Sequence, residues 1–329
     1  MPPAACLVRS SVNIDETFQV PHIVKLGETI SSSGFVSRPG GKGANVAAAL
    51  SLAGAQVTML GAVGTDAEWP LMYLEERGVD TRHVYRSKTD PTGRAFIQIA
   101  ADGENSIVLL QGANYVRSDA IDDPAAWMGK CTHLMLQNEI PLEVTVAYAA
   151  AAQARKEQGE ARLVTAFNPS PMLSAAEIKT FPWGGIDVLI VNEGEAADML
   201  RAMTGKDEST SAPAEALAAL PALAQVTWIV VTRGSHGSAA SVQLKKERIY
   251  LEVPAHRAAN VVNTTGAGDT FTGYLVAGLM DAYTNNAQWT RELIDTVLHR
   301  ASVASSMAVE KDGAMESMPS RAAVDAVVQ

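Results

Sequence analysis

VVNTTGAGDTFTGYLVAGLM, residues 261–280, places a single carboxylate, Asp269, between a glycine-rich turn and a long apolar run. The TGAG segment at residues 265–268, called the glycine turn below, leaves consecutive backbone N–H groups free of large side chains. The apolar run predicts a helix, whose positive amino-terminal end would face the same place. Such an arrangement stabilises anionic oxygens, most naturally those of a phosphoryl group in transfer. Asp269 is then placed to accept a proton from an attacking hydroxyl, although an Asp at a helix start commonly serves only as a cap.

The composition limits the partners that the chain can have. With 329 residues and 47% apolar content, the chain can bury a substantial core. Its net charge of −10 disfavours nucleic acid and anionic membranes, because both favour clustered Lys and Arg. No apolar run approaches the roughly 20 residues that cross a bilayer, and the first residues lack the features of a secretory signal. Two cysteines, Cys6 and Cys131, are too few for a disulfide framework, so we expect a cytoplasmic protein with reduced thiols.

Short β-rich runs alternate with helical patterns along the chain. CLVRSSVNI (6–14), HLMLQ (133–137), DVLIVNE (187–193) and WIVVTRG (228–234) are typical of buried strands. Stretches between such runs, for example ANVAAALSLAG (44–54), predict helices. The alternation predicts an α/β fold with a mostly parallel central sheet and helices on both faces, within one domain over residues 1–329.

Two segments interrupt this alternation. Residues from about 14 to 38 contain no convincing helix, and the segment from about 92 to 112 predicts a β-hairpin with a turn at Asp102-Gly103. Both segments are β-only insertions that lie far apart in the sequence. We expect them to form a small sheet together beside the main one, where it would serve as a lid over a site.

A second glycine cluster lies in RPGGKGANVAAALSLAGA, residues 38–55. It is not a Walker A loop, because Lys42 is not followed by Ser or Thr and the glycine spacing differs. The glycines allow a ligand to approach the backbone, and Lys42 and Asn45 offer donors to a hydroxyl-rich molecule. Asn13 and Asp15, alternate residues at a predicted strand end, would add polar groups on one face. Residues of these types at a strand end are, however, more often turn residues.

Two motifs carry a resemblance to a known family. GGKGAN (40–45) and TTGAGDTFTG (264–273) resemble the two signature regions of the PfkB sugar kinases, and most closely those of ribokinases. The order of the remaining motifs is similar from about residue 7 to residue 319. The resemblance implies a ribokinase-like fold with a small β-sheet lid, and a homodimer formed through the lids of two subunits.

The same resemblance implies a reaction and its residues. The γ-phosphoryl group of ATP would pass to O5 of D-ribose, with Asp269 as general base and the amides of Gly266, Ala267 and Gly268 stabilising the group in transfer. The implied ribose-binding residues are Asn13, Asp15, Gly41, Lys42, Asn45, Glu139 and Asp269. The implied ATP-binding residues are Asn192, Thr232, Gly234, Gly237, Gly268 and Ser302, with Glu195 holding Mg²⁺ through water.

Potassium is a further implied cofactor, since ribokinases are usually activated by it. The matching shell, largely of backbone carbonyl groups, is Asn263, Thr265, Ala308, Lys311, Gly313 and Ser317. One position departs from the family pattern V-D-T-x-G-A-G-D, because Asn263 stands where Asp is usual. An amide oxygen supplies a dipole and not a full charge, so we expect potassium to activate the enzyme only at a higher concentration.

Other functions fit the same patterns less well. Another PfkB-family kinase would act on fructose, a nucleoside or pseudouridine. A non-catalytic sugar-binding regulator would not need Asp269 beside an intact glycine turn. A dinucleotide-dependent oxidoreductase is also an α/β protein, but LGAVGTD (60–66) does not form a full G-x-G-x-x-G motif after the first strand.

Overall fold

Eight strands form a main sheet and four others form a separate small sheet. A computed structural model describes residues 4–160, 163–206 and 210–328 of the chain. The strands in these ranges are β1 (Ala5–Arg9), β2 (Asn13–Val20), β3 (Gly34–Gly40), β4 (Gln56–Leu60), β5 (Ala62–Gly64), β6 (Tyr85–Ser87), β7 (Gly93–Ala100), β8 (Asn105–Leu110), β9 (His133–Leu136), β10 (Val164–Phe167), β11 (Val188–Asn192), β12 (Trp228–Thr232), β13 (Ser238–Gln243) and β14 (Arg248–Val253). The α-helices are α1 (Lys42–Leu52), α2 (Trp69–Glu76), α3 (Asp119–Asp122), α4 (Pro124–Trp127), α5 (Leu142–Glu157), α6 (Ala175–Thr180), α7 (Glu193–Thr204), α8 (Pro213–Ala218), α9 (Ala267–Thr284), α10 (Arg291–Ala308) and α11 (Arg321–Val328).

The main sheet has the strand order β14-β13-β12-β11-β10-β9-β1-β4. The strands from β4 to β12 in this order are parallel to one another, and β13 and β14 continue the sheet as antiparallel strands. Successive side chains enter two separate cores, with Val8 and Met135 in one and Leu7 and Leu134 in the other. Strands covered on both faces need apolar residues at every position, which explains their nearly continuous apolar runs. The predicted mostly parallel sheet, with a separate small sheet, is confirmed.

The apolar run after Asp269 forms α9, which is buried along most of its length. This helix packs against α1 and α10. A Cβ atom at Gly273 would lie 2.5 Å from the Cβ atom of Ala49 in α1, so glycine is what allows the two helices to approach this closely. The contact places the first residues of α1 and α9 side by side, and both glycine-rich motifs meet there.

The small sheet has the strand order β3-β2-β7-β8 and takes its strands from the two β-only segments. The predicted hairpin is confirmed, because β7 and β8 pair in antiparallel fashion. Its turn places Gly103 at φ 89°, and the Gly103 N–H donates to the carbonyl of Ala100 at 3.0 Å. Residues 14–38 contain no helix, as predicted.

The strand predicted over residues 6–14 is wrong in its extent. β1 ends at Arg9, and Asn13 begins β2 in the other sheet. The side chains of Ser10 and Ser11 are buried and bond to Gln137 at 3.2 Å and to Glu139 at 2.6 Å, respectively. Both partners follow β9, which ends at Leu136. The two bonds hold the segment between β1 and β2 beside the end of β9, outside the main sheet. Asn13 and Asp15 therefore stand at the start of a small-sheet strand and not at the end of a main-sheet strand.

The longest helices of the described ranges, α9 and α10, each have 18 residues. Within those ranges no helix combines the length and the apolar character that crossing a membrane requires. Cys6 and Cys131 form no disulfide in the described ranges.

Candidate active site

The predicted site residues lie at the carboxyl ends of the parallel strands of the main sheet. These strand ends form one edge of the sheet, perpendicular to the strands. Ser11 follows β1 and Glu139 follows β9, whereas Asn192 and Thr232 are the last residues of β11 and β12. Open α/β sheets bind ligands at this edge, because the chain turns there into loops and helix starts. The predicted sugar residues lie towards β1 and β9, and the predicted nucleotide residues lie towards β11 and β12.

Asp269 and Asn45 are hydrogen-bonded to each other at the starts of α9 and α1. The Asn45 Nδ2 donates to Asp269 Oδ2 at 2.9 Å, and the two residues are 5% and 8% exposed. The Asn45 Oδ1 is also buried, and it has no hydrogen-bond partner among the described residues. A buried acceptor without a partner is costly, and a ligand hydroxyl would satisfy it. The two motifs thus create a polar point that is incomplete without a donor.

Glu139 connects the end of β9 to the start of α1. Its Oε2 accepts from the Ser11 hydroxyl at 2.6 Å and from the Lys42 backbone N–H at 2.8 Å. The carboxylate thereby holds the second glycine motif against the segment between β1 and β2. Sequence reasoning named Glu139 and Lys42 but missed Ser11, which carries no signal beyond its place two residues before Asn13.

Asp15 and Asn13 lie on β2, beside the second glycine motif. A Cβ atom at Gly40 would collide with the carboxyl group of Asp15, so glycine is what leaves room for this side chain. The Asn13 Oδ1 accepts from Asn114 Nδ2 at 2.6 Å, and Asn114 also bonds both backbone groups of Val12. Asn114 was not predicted. It fixes the side chain of Asn13 in place and leaves its Nδ2 as the group that can face a ligand.

Four carboxyl groups, those of Asp269, Glu139, Glu195 and Asp15, act on the charge of Lys42. Burial, and after it the charges of Glu139 and Asp269, raise the pKa of Asp15 to about 7, although Lys42 opposes the rise. Burial also raises the pKa of Glu139 and that of Asp269, and Lys42 opposes the rise in both. Burial alone would lower the pKa of Lys42, but the carboxylates around it raise it overall, so the ammonium is charged at neutral pH. The site pairs one cation with an excess of acidic groups.

Within the glycine turn, Gly266 has a left-handed conformation with φ 78°, and α9 begins at the next residue, Ala267. The first backbone bond of the α9 ladder joins the Thr270 N–H to the carbonyl of Gly266 at 2.8 Å. The Gly268 and Asp269 amides precede this bond, as do the first N–H groups of any helix, and such amides bind anions. The Ala267 N–H donates to the carbonyl of Thr264, but at 3.3 Å, so this bond is long.

The predicted nucleotide residues occupy loops and a helix start along the same edge. Asn192 and Glu195 form a capping box at the start of α7, in which each side chain accepts from the other backbone N–H at 2.8 Å. Thr232 is the last residue of β12, and Gly234 and Gly237 lie in the connection from β12 to β13. Ser302 lies in α10, where its hydroxyl accepts from the His256 N–H at 3.1 Å.

The predicted cation shell gathers where the connection after α10 runs beside the segment before α9. The Val262 N–H donates to the carbonyl of Val309 at 2.8 Å. The residues of this shell are Asn263 and Thr265 before α9, Ala308 at the end of α10, and Lys311, Gly313 and Ser317 after it. The structure adds a carboxylate that was not predicted from the sequence, that of Asp312. Its Oδ1 accepts from Asn263 Nδ2 at 2.9 Å.

A cavity of about 810 Å³ lies at the opposite edge of the main sheet. It is lined by the first residues of four strands, His133, Val164, Val188 and Trp228. None of the predicted site residues lines it. The motifs and the acidic groups therefore mark a different place from this cavity.

Comparison with known proteins identifies the family of the chain. Residues 6–321 match the pfkB family of carbohydrate kinases. Ribokinase of Haemophilus influenzae is 30% identical over 318 residues, which cover 95% of each chain. The crystal structure of ribokinase from Cryptococcus neoformans in complex with ADP has a TM-score of 0.84 and 43% identity, over 98% of this chain and 99% of that one. Arabidopsis thaliana ribokinase complexed with ribose and ATP has a TM-score of 0.80 and 28% identity, over 99% of both chains. The chain therefore belongs to the PfkB family of carbohydrate kinases and, within it, to the ribokinases.

Proposed function

We propose that this enzyme phosphorylates D-ribose at O5, with ATP as the phosphoryl donor. The observation that carries the proposal is the buried Asp269, which lies directly after the glycine turn and beside the unpaired oxygen of Asn45. A base, an amide-rich turn and an unpaired acceptor at one point suit a hydroxyl group that attacks a phosphoryl group. The ribose, ATP and ADP in the complexes of two related ribokinases support the choice of substrates.

The sugar would lie between the small sheet and the start of α1. Asn13, Asp15 and Asn45 would bond its hydroxyl groups, and the Lys42 ammonium and the Gly41 backbone would border it. The oxygen of Asn45 accepts only, and the nitrogen of Asn13 donates only, so each requires one kind of partner. Glu139 would orient the sugar through the carboxyl oxygen that does not bond Ser11 and Lys42.

Asp269 would act as the general base. As the O5–phosphorus bond forms, the O5 proton moves to Asp269, and the bond from phosphorus to the leaving ADP oxygen breaks. Burial raises the pKa of Asp269 and so makes its carboxylate a stronger base, while the charge of Lys42 opposes the rise. The amides of Gly266, Ala267 and Gly268 would stabilise the charge on the phosphoryl oxygens.

The residues at the start of α7 fit a magnesium ion bound mainly by phosphates and water. One oxygen of Glu195 bonds the Asn192 N–H, and the side chain is only half-buried, so the carboxylate is both fixed and accessible. Within the described ranges no three His, Cys, Asp or Glu side chains converge as a complete metal cage. Mg²⁺ keeps several waters and commonly needs only one carboxylate beside phosphates, whose charge it would neutralise. Asn192, Thr232, Gly234, Gly237 and Ser302 would hold the rest of the nucleotide.

The shell around Asn263 fits a potassium ion in composition. Its carbonyl groups come from two segments that run side by side, and Asp312 adds a carboxylate next to Gly313. The Asn263 oxygen accepts from the Thr265 N–H at 2.9 Å, so it already holds the residue before Gly266. The proposed role of potassium is to stabilise this segment from behind, without contact to the sugar.

The small sheet would be the lid of a single kinase domain and also the dimer interface. Its edge strand β8 exposes apolar side chains on both faces, among them Ile107 at 53% and Val108 at 62%. Phe35 on the other edge strand is 54% exposed. Exposed apolar residues on an edge strand are a liability unless another chain covers them. A second copy of the same sheet is the occupant that we propose.

An ADP-release assay with ribose, 2-deoxyribose, fructose, adenosine and pseudouridine tests the proposed function. We expect the highest kcat/KM with ribose. A higher kcat/KM with another substrate would assign the chain to a different kinase of the same family. Ribose binding without ADP release would indicate a sugar-binding regulator instead.

A further inference from the structure

A chain of hydrogen bonds runs from the small sheet to the glycine turn. It begins at Arg38 on β3, whose guanidinium contacts Asp312 Oδ2 at 2.7 Å in the connection after α10. The other carboxyl oxygen of Asp312 accepts from Asn263 Nδ2 at 2.9 Å. The Asn263 oxygen accepts in turn from the Thr265 N–H at 2.9 Å. Thr265 immediately precedes Gly266, so both polar atoms of Asn263 are used in holding the turn to the lid.

We infer that Arg38 is a positioning residue, which couples the place of the small sheet to the order of the glycine turn. The inference rests on the proposed function, in which β2 of the same sheet contributes Asp15 to the sugar site. Sugar that holds the sheet in place would also hold Arg38 against Asp312, and thereby the amides that receive the phosphates. Coupling of this kind is reciprocal, so each substrate would strengthen the binding of the other.

The ion pair between Arg38 and Asp312 is weak in itself. Its effect on the glycine turn comes from its position in the chain of hydrogen bonds. The side chains of Arg38 and Asp312 are 30% and 60% exposed, and such pairs contribute little to global stability. Asp312 is shared, however, between the guanidinium and the Asn263 amide. Loss of Arg38 leaves Asp312 and Asn263 joined but no longer tied to the sheet, so the turn should loosen locally while the fold persists.

A second ion pair between the small sheet and the rest of the chain supplies a matched control. Arg94 on β7 contacts Asp66 at 2.9 Å and Glu16 on β2 at 2.5 Å, and its side chain is 24% exposed. Asp66 also accepts from the Thr92 N–H at 2.8 Å, which lies beside β7 and not beside the glycine turn. Arg94→Ala therefore removes the contact with Asp66, and also one contact within the sheet, without touching the chain of bonds through Asn263.

The first test is amide hydrogen exchange in residues 263–268, measured at saturating potassium without sugar or nucleotide. We expect exchange about three- to tenfold faster in Arg38→Ala than in wild type, and unchanged in Arg94→Ala. Arg38→Lys should recover part of the protection, because the charge is kept but the planar fork is lost. Equal exchange in wild type and Arg38→Ala would overturn the inference, and so would equal acceleration in both alanine variants. This measurement needs no sugar and is independent of the proposed function.

The second test is the affinity for a non-hydrolysable ATP analogue, measured with and without saturating ribose. We expect ribose to tighten analogue binding about fivefold or more in wild type and in Arg94→Ala. In Arg38→Ala the ratio should fall towards one, and adding Asp312→Asn should change it no further. An unchanged ratio in Arg38→Ala would overturn the coupling. Absence of ribose turnover in wild type would count against the proposed function alone, since the exchange experiment still decides the role of Arg38.

Discussion

At Asp269, burial and its polar neighbours act on the carboxyl group in opposite directions. Burial raises its pKa, while Lys42 and the bond from Asn45 lower it, and the net result is a raised pKa. A carboxylate with a raised pKa is suited to general-base work, because its affinity for a proton is higher than that of an exposed Asp. The surrounding residues thus prepare this Asp for a role that its position after the glycine turn already predicts.

Asp269→Asn should keep the fold and ATP affinity but lower kcat about 10²–10⁴-fold, because a carboxamide cannot accept the hydroxyl proton. Steady-state kinetics with ribose and ATP measures the loss, and thermal unfolding checks the fold. Asp281→Asn is the matched control, since Asp281 lies on the same helix and pairs with Arg321, away from the site. More than a tenth of the wild-type kcat in Asp269→Asn would rule out the role as base.

Asn263→Asp should lower the potassium concentration needed for half-maximal kcat/KM. The change restores a full charge at the position where the family usually has it, and it replaces the bond from Asn263 Nδ2 to Asp312 by two facing carboxylates, whose repulsion a bound cation relieves. Titration of wild type and variant with potassium chloride, with ionic strength held constant by tetramethylammonium chloride, measures the shift. If the variant needs as much potassium as the wild type, residue 263 does not set the cation affinity.

The residues of the site differ in how far the sequence predicts them. Asn45 and Asp269 could be named because each stands in a glycine-rich motif at a helix start. Their contact joins positions 224 residues apart, and only the resemblance to a family placed them in one site. Asn114 follows a hairpin without any motif, and it bonds Asn13 across 101 positions. Such support depends on tertiary packing, which a local pattern does not encode.

At the scale of elements, the alternation of strands and helices predicted the main sheet because buried parallel strands are apolar throughout. The boundary between β1 and β2 was missed for the same reason. Val12 and Ile14 continue the apolar pattern of β1, but they pack after the chain has left the main sheet. The buried hydroxyls of Ser10 and Ser11 decide the boundary, and their partners lie more than 120 positions away.

The edge strand β8 is the proposed dimer interface, and a charged residue on it should prevent dimer formation. Val108→Lys should shift the protein from dimer to monomer, because a charged side chain would replace an apolar one in the proposed interface. Size-exclusion chromatography with light scattering measures the mass. Met72→Lys is the matched control, since Met72 on α2 is 60% exposed, against 62% for Val108. A monomeric wild type, or a dimer that persists in Val108→Lys, would exclude this edge as the interface.

At the scale of the whole molecule, the acidic site lowers the free energy of unfolding of the substrate-free protein. Burial, Glu139 and Asp269 raise the pKa of Asp15 to about 7, whereas an unfolded chain has an Asp pKa of about 3.9. The folded state therefore binds more protons than the unfolded state between these two values. Stability falls as pH rises through this window and is lowest, with respect to Asp15, above pH 7.

Asp15→Asn should consequently raise the Tm of the substrate-free protein by about 2–4 °C at pH 8, which corresponds to roughly 1 kcal/mol or more. The difference in Tm between variant and wild type should shrink steadily towards pH 5. The wild-type carboxyl group becomes protonated there in the folded state, so no charge is buried. Thermal unfolding between pH 5 and pH 8, without sugar, measures both curves. The same variant should bind ribose more weakly, as expected when a group kept for function destabilises the free enzyme.

Asp102→Asn provides the control for this pH dependence, because Asp102 is exposed in the hairpin turn of the same small sheet. Its Tm should follow that of the wild type at every pH. A gain in Asp15→Asn that is equal at pH 5 and pH 8 would mean that the substitution acts through packing and not through charge. A loss of stability at pH 8 would show that the ionised Asp15 is better compensated than its burial beside Glu139 and Asp269 indicates.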